Sequence, residues 1–158
     1  MILKPDYNVK TVYEVNYDEL KNKGVKILIF DLDSTVMKSK TGVFTQATIQ
    51  LFKNLAKDFM LAIASNNKNI EYINKVREQV DFTVLGHANK PNPSVIKDLL
   101  TENALKSEEA VVIGDRPLTD ILVGKLLGAK TVLVDSISWS EEPPLTRFVR
   151  SLERLSIR

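Results

Sequence analysis

Cysteine is absent from this 158-residue sequence, and histidine occurs only once. Disulfide bonds and thiol chemistry are therefore excluded, and so is a zinc site built from cysteine and histidine. The ligands that remain for a metal are oxygen atoms, which favour magnesium. Any metal chemistry of this chain should therefore use carboxylates.

Long apolar runs and strong net charge are also missing. No apolar run approaches the roughly 20 residues that a membrane-spanning helix needs, and the amino terminus lacks the features of a signal peptide. The net charge of +2 is too small to indicate a nucleic acid partner. We expect one domain over residues 1–158, located in the cytoplasm, either free or peripheral at a membrane.

Apolar runs and amphipathic stretches alternate along residues 26–135, after an amino-terminal arm of residues 1–25. The predicted strands are KILIF, MLAIAS, FTVLG, AVVIGD and KTVLVD, and the predicted helices are TQATIQLFKNLAKDF, NIEYINKVREQV, NPSVIKDLLTENAL and PLTDILVGKLLG. This alternation predicts an α/β fold with a doubly wound parallel sheet and right-handed crossovers. Ligands of such sheets bind beyond the carboxyl ends of the strands.

Polar side chains follow three of the predicted strands. Asp31 and Asp33 come after KILIF, Ser65 ends MLAIAS, and Asp115 ends AVVIGD. Each group alone is a weak signal, because paired acids are usually solvated and a serine or aspartate often ends a strand or caps a helix. Two carboxylates about 4 Å apart repel by roughly 4 kcal/mol at an effective dielectric constant near 20. A bound cation or a cationic side chain should therefore lie among them.

The order of these residues resembles a known superfamily. DLDST is similar to the first motif of the haloacid dehalogenase superfamily, Asp-x-Asp-x-Thr at the end of the first strand. Ser65 matches the second motif and Lys90 the third, while GDRPLTD, with Asp115 and Asp120, matches the fourth. The resemblance implies the Rossmann-like core of that superfamily.

The resemblance also implies catalytic roles. Asp31 is expected to attack phosphorus and to carry a transient aspartyl phosphate. Asp33 is expected to protonate the leaving oxygen and then to activate water. Ser65 and Lys90 are expected to hold the phosphoryl oxygens. Because dehalogenases lack an equivalent of Asp33, its presence favours a phosphatase, with a phosphomutase as the next alternative.

Mg²⁺ is the implied cofactor. Its expected ligands are the carboxylates of Asp31 and Asp115 and the backbone carbonyl of Asp33. Asp120 would complete the metal site by orienting Lys90 or a metal-bound water. Three further residues are predicted to bind substrate: Thr35, Asn66 and Arg116.

A cap domain, which many superfamily members carry, has no room here. Residues 36–44 are too few for one, and residues 66–89 are filled by one predicted helix and one predicted strand. The site should therefore be open to solvent. An open site suits a macromolecular substrate, a phospholipid head group, or a partner subunit or second copy that acts as a lid.

A closer resemblance covers nearly the whole chain. The segments LKPDYNVKTVYEVNYDELKNKGVKILIFDLD, VVIGDRPLTDILVGKLLGAKTVLV and PPLTRFVRSLERL resemble YqeG-type phosphatases, which include the phosphatidylglycerophosphate phosphatases of cardiolipin synthesis. The resemblance implies removal of the terminal phosphate of phosphatidylglycerophosphate at a membrane surface. The alternatives are a phosphatase of soluble sugar phosphates or nucleotides, and a non-catalytic module that binds a phosphorylated partner.

Residues 143–158 are predicted to form an amphipathic helix. Its apolar face comprises Leu145, Phe148, Val149, Leu152 and Leu155, and its arginines are Arg147, Arg150, Arg154 and Arg158. We expect the apolar face to pack on the sheet and the arginines to be exposed, where they could meet anionic lipid. The alternative is that the whole helix lies in the interface of a membrane.

Overall fold

The computed structural model describes residues 3–157, which form a six-stranded sheet with every strand parallel to its neighbours. The strands lie in the order β1-β6-β5-β2-β3-β4. Their bounds are β1 Tyr7–Asn8, β2 Ile27–Phe30, β3 Met60–Ala64, β4 Thr83–Leu85, β5 Ala110–Gly114 and β6 Lys130–Leu133. The predicted doubly wound α/β fold is therefore confirmed.

Helices flank both faces of this sheet. Their bounds are α1 Tyr17–Asn22, α2 Gln46–Leu55, α3 Ile70–Arg77, α4 Ser94–Glu102, α5 Leu122–Leu127 and α6 Pro144–Leu155. Apolar side chains of α1, α2 and α3 share one core layer, and those of α4 and α5 share the other. No helix within residues 3–157 is long and apolar enough to cross a bilayer.

Strand β2 is buried on both of its faces because it lies between β3 and β5. Leu28 and Phe30 point into one core layer, and Ile27 and Ile29 into the other. All four side chains have 0% exposure, and burial of each contributes about 1.5–3 kcal/mol. The unbroken apolar run therefore forms the central strand, whose carboxyl end lies between those of its two neighbours.

The amino-terminal arm contributes an edge strand that the sequence did not predict. Tyr7 and Asn8 pair with Val132 and Leu133 of β6, and the carboxylate of Asp6 accepts a hydrogen bond from the backbone N–H of Thr131 at 2.8 Å. A strand of two residues is too short to produce an alternating pattern. The arm therefore belongs to the sheet.

Helix α6 packs with the face opposite to the one that we expected. Its apolar side chains are 38–73% exposed: Leu145, Phe148, Val149, Leu152 and Leu155. Arg150 and Glu153 are 8% and 6% exposed, because their charged groups reach ion-pair partners in the rest of the chain. The expectation of a buried apolar face was wrong. Arg158 lies outside the described residues.

Candidate active site

The polar residues that follow the central strands lie together at one edge of the sheet. Phe30 is paired with Ile63 of β3 and Ile113 of β5, so the residues after these strands are neighbours. A half-open cavity of about 340 Å³ lies at this edge. Its lining includes the predicted site residues Asp31, Asp33, Ser65, Asn66, Lys90, Asp115 and Arg116.

Lys90 lies between two carboxylates. Its ammonium group donates to Asp31 Oδ1 at 2.8 Å and to Asp120 Oδ1 at 2.6 Å. Burial alone would lower the pKa of Lys90, but Asp120 and Asp31 outweigh it and raise the pKa above its ordinary value. The lysine is therefore positively charged at neutral pH, directly beside the expected nucleophile.

Three carboxylates form a cluster suited to a cation. Asp31, Asp115 and Asp120 each place one oxygen within 4.8 Å of the others. Burial, followed by the charge of Asp31, raises the pKa of Asp120 to about 6 and that of Asp115 well above its usual value. Clustered oxygen ligands with unfavourable mutual repulsion fit a hard divalent cation. The carboxylate of Asp33 is outside this cluster among residues 3–157.

Asp33 is held by two hydrogen bonds to one of its oxygens. Asp33 Oδ1 accepts from the hydroxyl of Tyr72 at 2.6 Å and from the backbone N–H of Lys40 at 3.1 Å. Burial and the hydrogen bond to Asp33 raise the pKa of Tyr72 above its ordinary value, so its hydroxyl remains a donor. The sequence did not indicate that Tyr72 belongs to the site, because the helix that carries it shows only the spacing of residues that pack in the core.

Two residues predicted to bind substrate form hydrogen bonds with other site residues of the chain. Thr35 is 1% exposed, and its hydroxyl donates to Asp115 Oδ1 at 2.9 Å. Asn66 forms two hydrogen bonds with the backbone of Lys90, at 2.8 and 2.9 Å. Thr35 is not among the residues that line the cavity, and its hydroxyl holds the carboxylate of Asp115; its binding of substrate stays a prediction. Asn66 lines the cavity and also orients Lys90.

Arg116, the third predicted substrate-binding residue, is engaged by helix α6. Its Nε and Nη2 donate to the two carboxylate oxygens of Glu153 at 3.1 and 2.7 Å. This two-point contact fixes the plane of the guanidinium. Arg116 therefore lines the cavity with its charge already paired, and its binding of substrate stays a prediction.

Arg150 reaches the same cluster from helix α6. Its guanidinium forms an ion pair with Asp115 Oδ2 and a second one, at 2.8 Å, with Glu142. Glu142 also accepts a hydrogen bond from the hydroxyl of Ser136 at 2.8 Å. No pattern in the sequence separated Arg150 from the other arginines of this helix. The structure thus adds Arg150 and Glu142 to the candidate site.

The close approach of Asp120 explains the glycine, Gly114, of the motif Gly-Asp-x-x-x-x-Asp. A Cβ atom at this position would overlap the side chain of Asp120, which folds back from the π-helical turn Pro117–Ile121. Asp120 Oδ2 also accepts from the backbone N–H of Arg116 at 3.1 Å. Glycine therefore allows Asp120 to lie under the end of β5 and reach Lys90.

A profile described as "Mitochondrial PGP phosphatase" matches residues 1–137. The chain belongs to this family. "Probable phosphatase YqeG" of Bacillus subtilis (strain 168) is 31% identical over 95% of this chain and 87% of its own length. "Phosphatidylglycerophosphate phosphatase 1, chloroplastic/mitochondrial" of Arabidopsis thaliana is 28% identical over 94% of this chain.

This member of the PGP phosphatase family spans 45% of the length of the Arabidopsis protein. Among solved structures, a haloacid dehalogenase-like family hydrolase from Xanthomonas campestris superposes with a TM-score of 0.54 at 14% identity. The superposition covers 85% of this chain and 98% of that one, and it shows the shared fold. The resemblance to YqeG-type phosphatases is confirmed, and the chain is a phosphatase with the fold of a haloacid dehalogenase-like hydrolase.

Proposed function

We propose that the chain is a magnesium-dependent phosphomonoesterase that uses Asp31 as its nucleophile and phosphatidylglycerophosphate as its favoured substrate. The observation that carries this proposal is the contact of Asp31 with the buried ammonium group of Lys90, beside the Asp115 and Asp120 carboxylates. A carboxylate held this way at the mouth of a cavity can attack a phosphorus atom while its charge is balanced.

In the first step, a carboxylate oxygen of Asp31 forms a bond to phosphorus, and the bond from phosphorus to the leaving oxygen breaks. Asp33 gives its proton to that oxygen, so the alcohol leaves as a neutral molecule. The ammonium of Lys90, and the hydroxyl of Ser65 at the cavity wall, balance the charge on the phosphoryl oxygens. The result is a phosphorylated Asp31 and an ionised Asp33.

In the second step, Asp33 removes a proton from water as the water oxygen attacks phosphorus. The bond between phosphorus and Asp31 breaks, inorganic phosphate leaves, and both aspartates return to their initial protonation states. Tyr72 and the backbone of Lys40 hold the carboxylate of Asp33 in one orientation. One carboxyl group can thereby act first as an acid and then as a base.

Mg²⁺ would be held by the carboxylates of Asp31 and Asp115 and the backbone carbonyl of Asp33. When ionised, Asp31, Asp115 and Asp120 carry three negative charges, against two positive charges on Lys90 and Arg150. The site therefore retains a negative charge that a cation can balance. A bound Mg²⁺ supplies positive charge that makes the phosphoryl group a better electrophile.

Phosphatidylglycerophosphate is favoured for two reasons. The family profile and the Arabidopsis relative both carry the name of this activity. The cavity is half-open and bordered by α6, so a head group can enter while the remainder of a lipid stays outside. The reaction would place this chain in phospholipid biosynthesis and yield phosphatidylglycerol.

The test is phosphate release from phosphatidylglycerophosphate in mixed micelles, beside a panel of soluble sugar phosphates and nucleotides. Each substrate is assayed with Mg²⁺ and with a chelator. We expect release to require Mg²⁺, and kcat/KM for the lipid to exceed that of every soluble substrate by about tenfold or more. A higher kcat/KM for a soluble compound would contradict the proposal that the lipid is the favoured substrate. Full activity in the presence of chelator would contradict the proposed dependence on Mg²⁺.

Substitution of Arg150 tests the proposed metal site without substrate. We expect Arg150→Met to raise the affinity for Mg²⁺ about tenfold, because removal of a cation paired with Asp115 removes its repulsion of the metal. The melting temperature without Mg²⁺ should fall, since Asp115 loses its partner. The measurement is the rise of melting temperature with Mg²⁺ concentration near pH 7.5, above the pKa of about 6 of Asp120.

Arg147→Met is the matched control for this measurement. Arg147 lies on the same helix and forms no ion pair with any residue in the range 3–157. We expect its Mg²⁺ affinity to equal that of the unmodified chain. Equal affinities in the Arg150 and Arg147 variants would mean that Arg150 and the metal bind Asp115 without opposing each other.

A further inference from the structure

Four cations line the active-site cavity: Lys40, Lys90, Arg116 and Arg150. Carboxylates of the chain form ion pairs with Lys90, Arg116 and Arg150. Lys40 is exposed, and its ammonium group forms no ion pair with any residue in the range 3–157. A cation without an acidic partner at the edge of a cavity can bind an anionic group of a molecule that enters it. Lys40 therefore differs from the other three cations in what it can contact.

Lys40 lies directly beside Asp33. Its backbone N–H donates to Asp33 Oδ1 at 3.1 Å. The backbone N–H of the preceding residue, Ser39, donates to the hydroxyl of Ser138 at 2.8 Å. Lys40 also adopts the left-handed backbone region, with a φ of 65°, which is uncommon for residues other than glycine. The two hydrogen bonds hold the loop, so the side chain of Lys40 starts from a fixed point next to the proposed acid.

The alcohol portion of a substrate must lie on the same side of the cavity as Lys40. In the proposed reaction, Asp33 protonates the leaving oxygen, so this oxygen and the group attached to it lie beside Asp33. The phosphoryl group is held between Asp31 and Lys90, whose side chain is only 2% exposed. An exposed lysine beside Asp33 can therefore reach the alcohol portion while the phosphoryl group stays with Lys90.

A second lysine lies against the same loop. A Cβ atom added to Gly42 would lie 3.3 Å from Nζ of Lys75 and 3.3 Å from the ring of Tyr72. The hydroxyl of Tyr72 in turn donates to Asp33. Lys75 forms no ion pair within the described part of the chain, and Glu71, one turn earlier on α3, is exposed and pairs with neither lysine. Positive charge therefore gathers on the Asp33 side of the cavity.

We propose that Lys40, assisted by the charge of Lys75, binds a second anionic group in the alcohol portion of the substrate. The substrate class is then a phosphomonoester whose alcohol also carries a phosphodiester or a carboxylate. The ammonium group of lysine, on its flexible four-carbon stem, suits such a group as a point charge. Phosphatidylglycerophosphate carries a phosphodiester there, so the inference deepens the proposed function by assigning a residue to its recognition. It rests on that function for the position of the alcohol beside Asp33.

The test compares three soluble esters. Glycerophosphoglycerol phosphate carries a phosphodiester in its alcohol portion, phosphoglycerate carries a carboxylate, and glycerol phosphate carries neither. The quantity compared is the ratio of kcat/KM for each anionic ester to kcat/KM for glycerol phosphate. This ratio cancels any loss that a substitution causes in the shared chemistry, such as displacement of Asp33. We expect a ratio of about ten or more for at least one anionic ester in the unmodified chain.

Lys40→Met should lower this ratio by about fivefold or more, because the second anionic group loses a charge-assisted contact. Lys40→Arg should keep most of the ratio, since it retains the charge, and high salt should lower the ratio of the unmodified chain. Lys75→Met should lower the ratio less than Lys40→Met does, because Lys75 is not among the residues that line the cavity. An unchanged ratio in Lys40→Met would overturn the proposal.

Lys38→Met is the matched control. Lys38 is an exposed lysine of the same loop, but it pairs with Glu141 at 2.8 Å. Its replacement changes the net charge by the same amount as Lys40→Met, so it measures the effect of charge at a distance. We expect the control to keep both the ratio and its activity on glycerol phosphate. A ratio that falls as far in Lys38→Met as in Lys40→Met would overturn the proposal, because the effect would then not require contact with Lys40.

Calorimetry with Asp31→Asn separates this inference from the proposed function. We expect this variant to bind at least one of the two anionic esters more tightly than glycerol phosphate, and the added change Lys40→Met to remove the difference. A chain that shows this binding but releases phosphate from no ester would leave the inference standing and remove the proposed function. A chain that hydrolyses all three esters with equal kcat/KM would keep the phosphatase activity and overturn the inference.

Discussion

Replacement of Asp31 by asparagine is expected to reduce phosphate release by about 10⁴-fold or more. Asparagine has almost the same shape as aspartate, but its amide does not attack phosphorus. The fold should survive, because Lys90 keeps its ion pair with Asp120 at 2.6 Å. Burial and, after it, the charge of Asp31 raise the pKa values of Asp115 and Asp120, and the substitution removes that charge.

The measurement is kcat with the best substrate of the panel, together with the melting temperature of each variant. Asp81→Asn is the matched control, since Asp81 is exposed and precedes β4 at the opposite edge of the sheet. We expect Asp81→Asn to be fully active. We expect both variants to have melting temperatures within a few degrees of that of the unmodified chain. Retention of more than a small fraction of activity by Asp31→Asn would assign the attack on phosphorus to another group.

The centre of the site could be predicted from the sequence because its residues follow strands with strong local signals. The run from Ile27 to Phe30 can only be buried on both faces, and this fixes Asp31 at the end of a central strand. Asp115 follows a second run of this kind, Ala110–Gly114. Parallel strands then bring the two carboxylates to the same edge. Both the fold and the position of the proposed nucleophile follow from these runs.

The contacts of α6 could not be predicted in the same way. A helical pattern identifies an apolar and a charged face, and packing of the apolar face is the usual outcome. Here the ion-pair partner of Arg150 is Asp115, which lies 35 residues away, and that of Glu153 is Arg116. Those partners become known only when the strand ends have been assembled. The exposed apolar face is therefore a property of the tertiary structure.

Tyr72 is a second case of this kind. It lies on α3 beside residues that pack in the core, and its hydroxyl contacts Asp33 from 39 residues away. Aromatic residues at helical spacing usually indicate packing, so nothing local marks this hydroxyl as a hydrogen-bond donor to the site. The same holds for Thr35, whose motif position suggested substrate binding while its hydroxyl contacts Asp115. Short-range patterns identify the acids, and longer-range contacts decide how each acid is held.

Asp33→Asn is expected to lower turnover of alkyl phosphates by about 10²- to 10⁴-fold, because both steps lose their proton donor or acceptor. With p-nitrophenyl phosphate the leaving group needs no proton, so the first step should continue. The second step still lacks a base to activate water. We therefore expect a burst approaching one nitrophenolate per chain, followed by slow turnover, as the phosphorylated form of Asp31 accumulates.

Stopped-flow absorbance measures the burst, and acid-quenched mass spectrometry measures the phosphate retained on the chain. Tyr72→Phe is the matched comparison, since it leaves the Asp33 carboxylate in place and removes one hydrogen bond to it. Its activity should lie between those of Asp33→Asn and the unmodified chain, without a burst. Asp33→Asn could instead lose the same fraction of its activity on alkyl and nitrophenyl esters and retain no phosphate. That result would mean that Asp33 acts on binding of the substrate. The dependence on the leaving group thus separates proton transfer by Asp33 from a structural role of its charge.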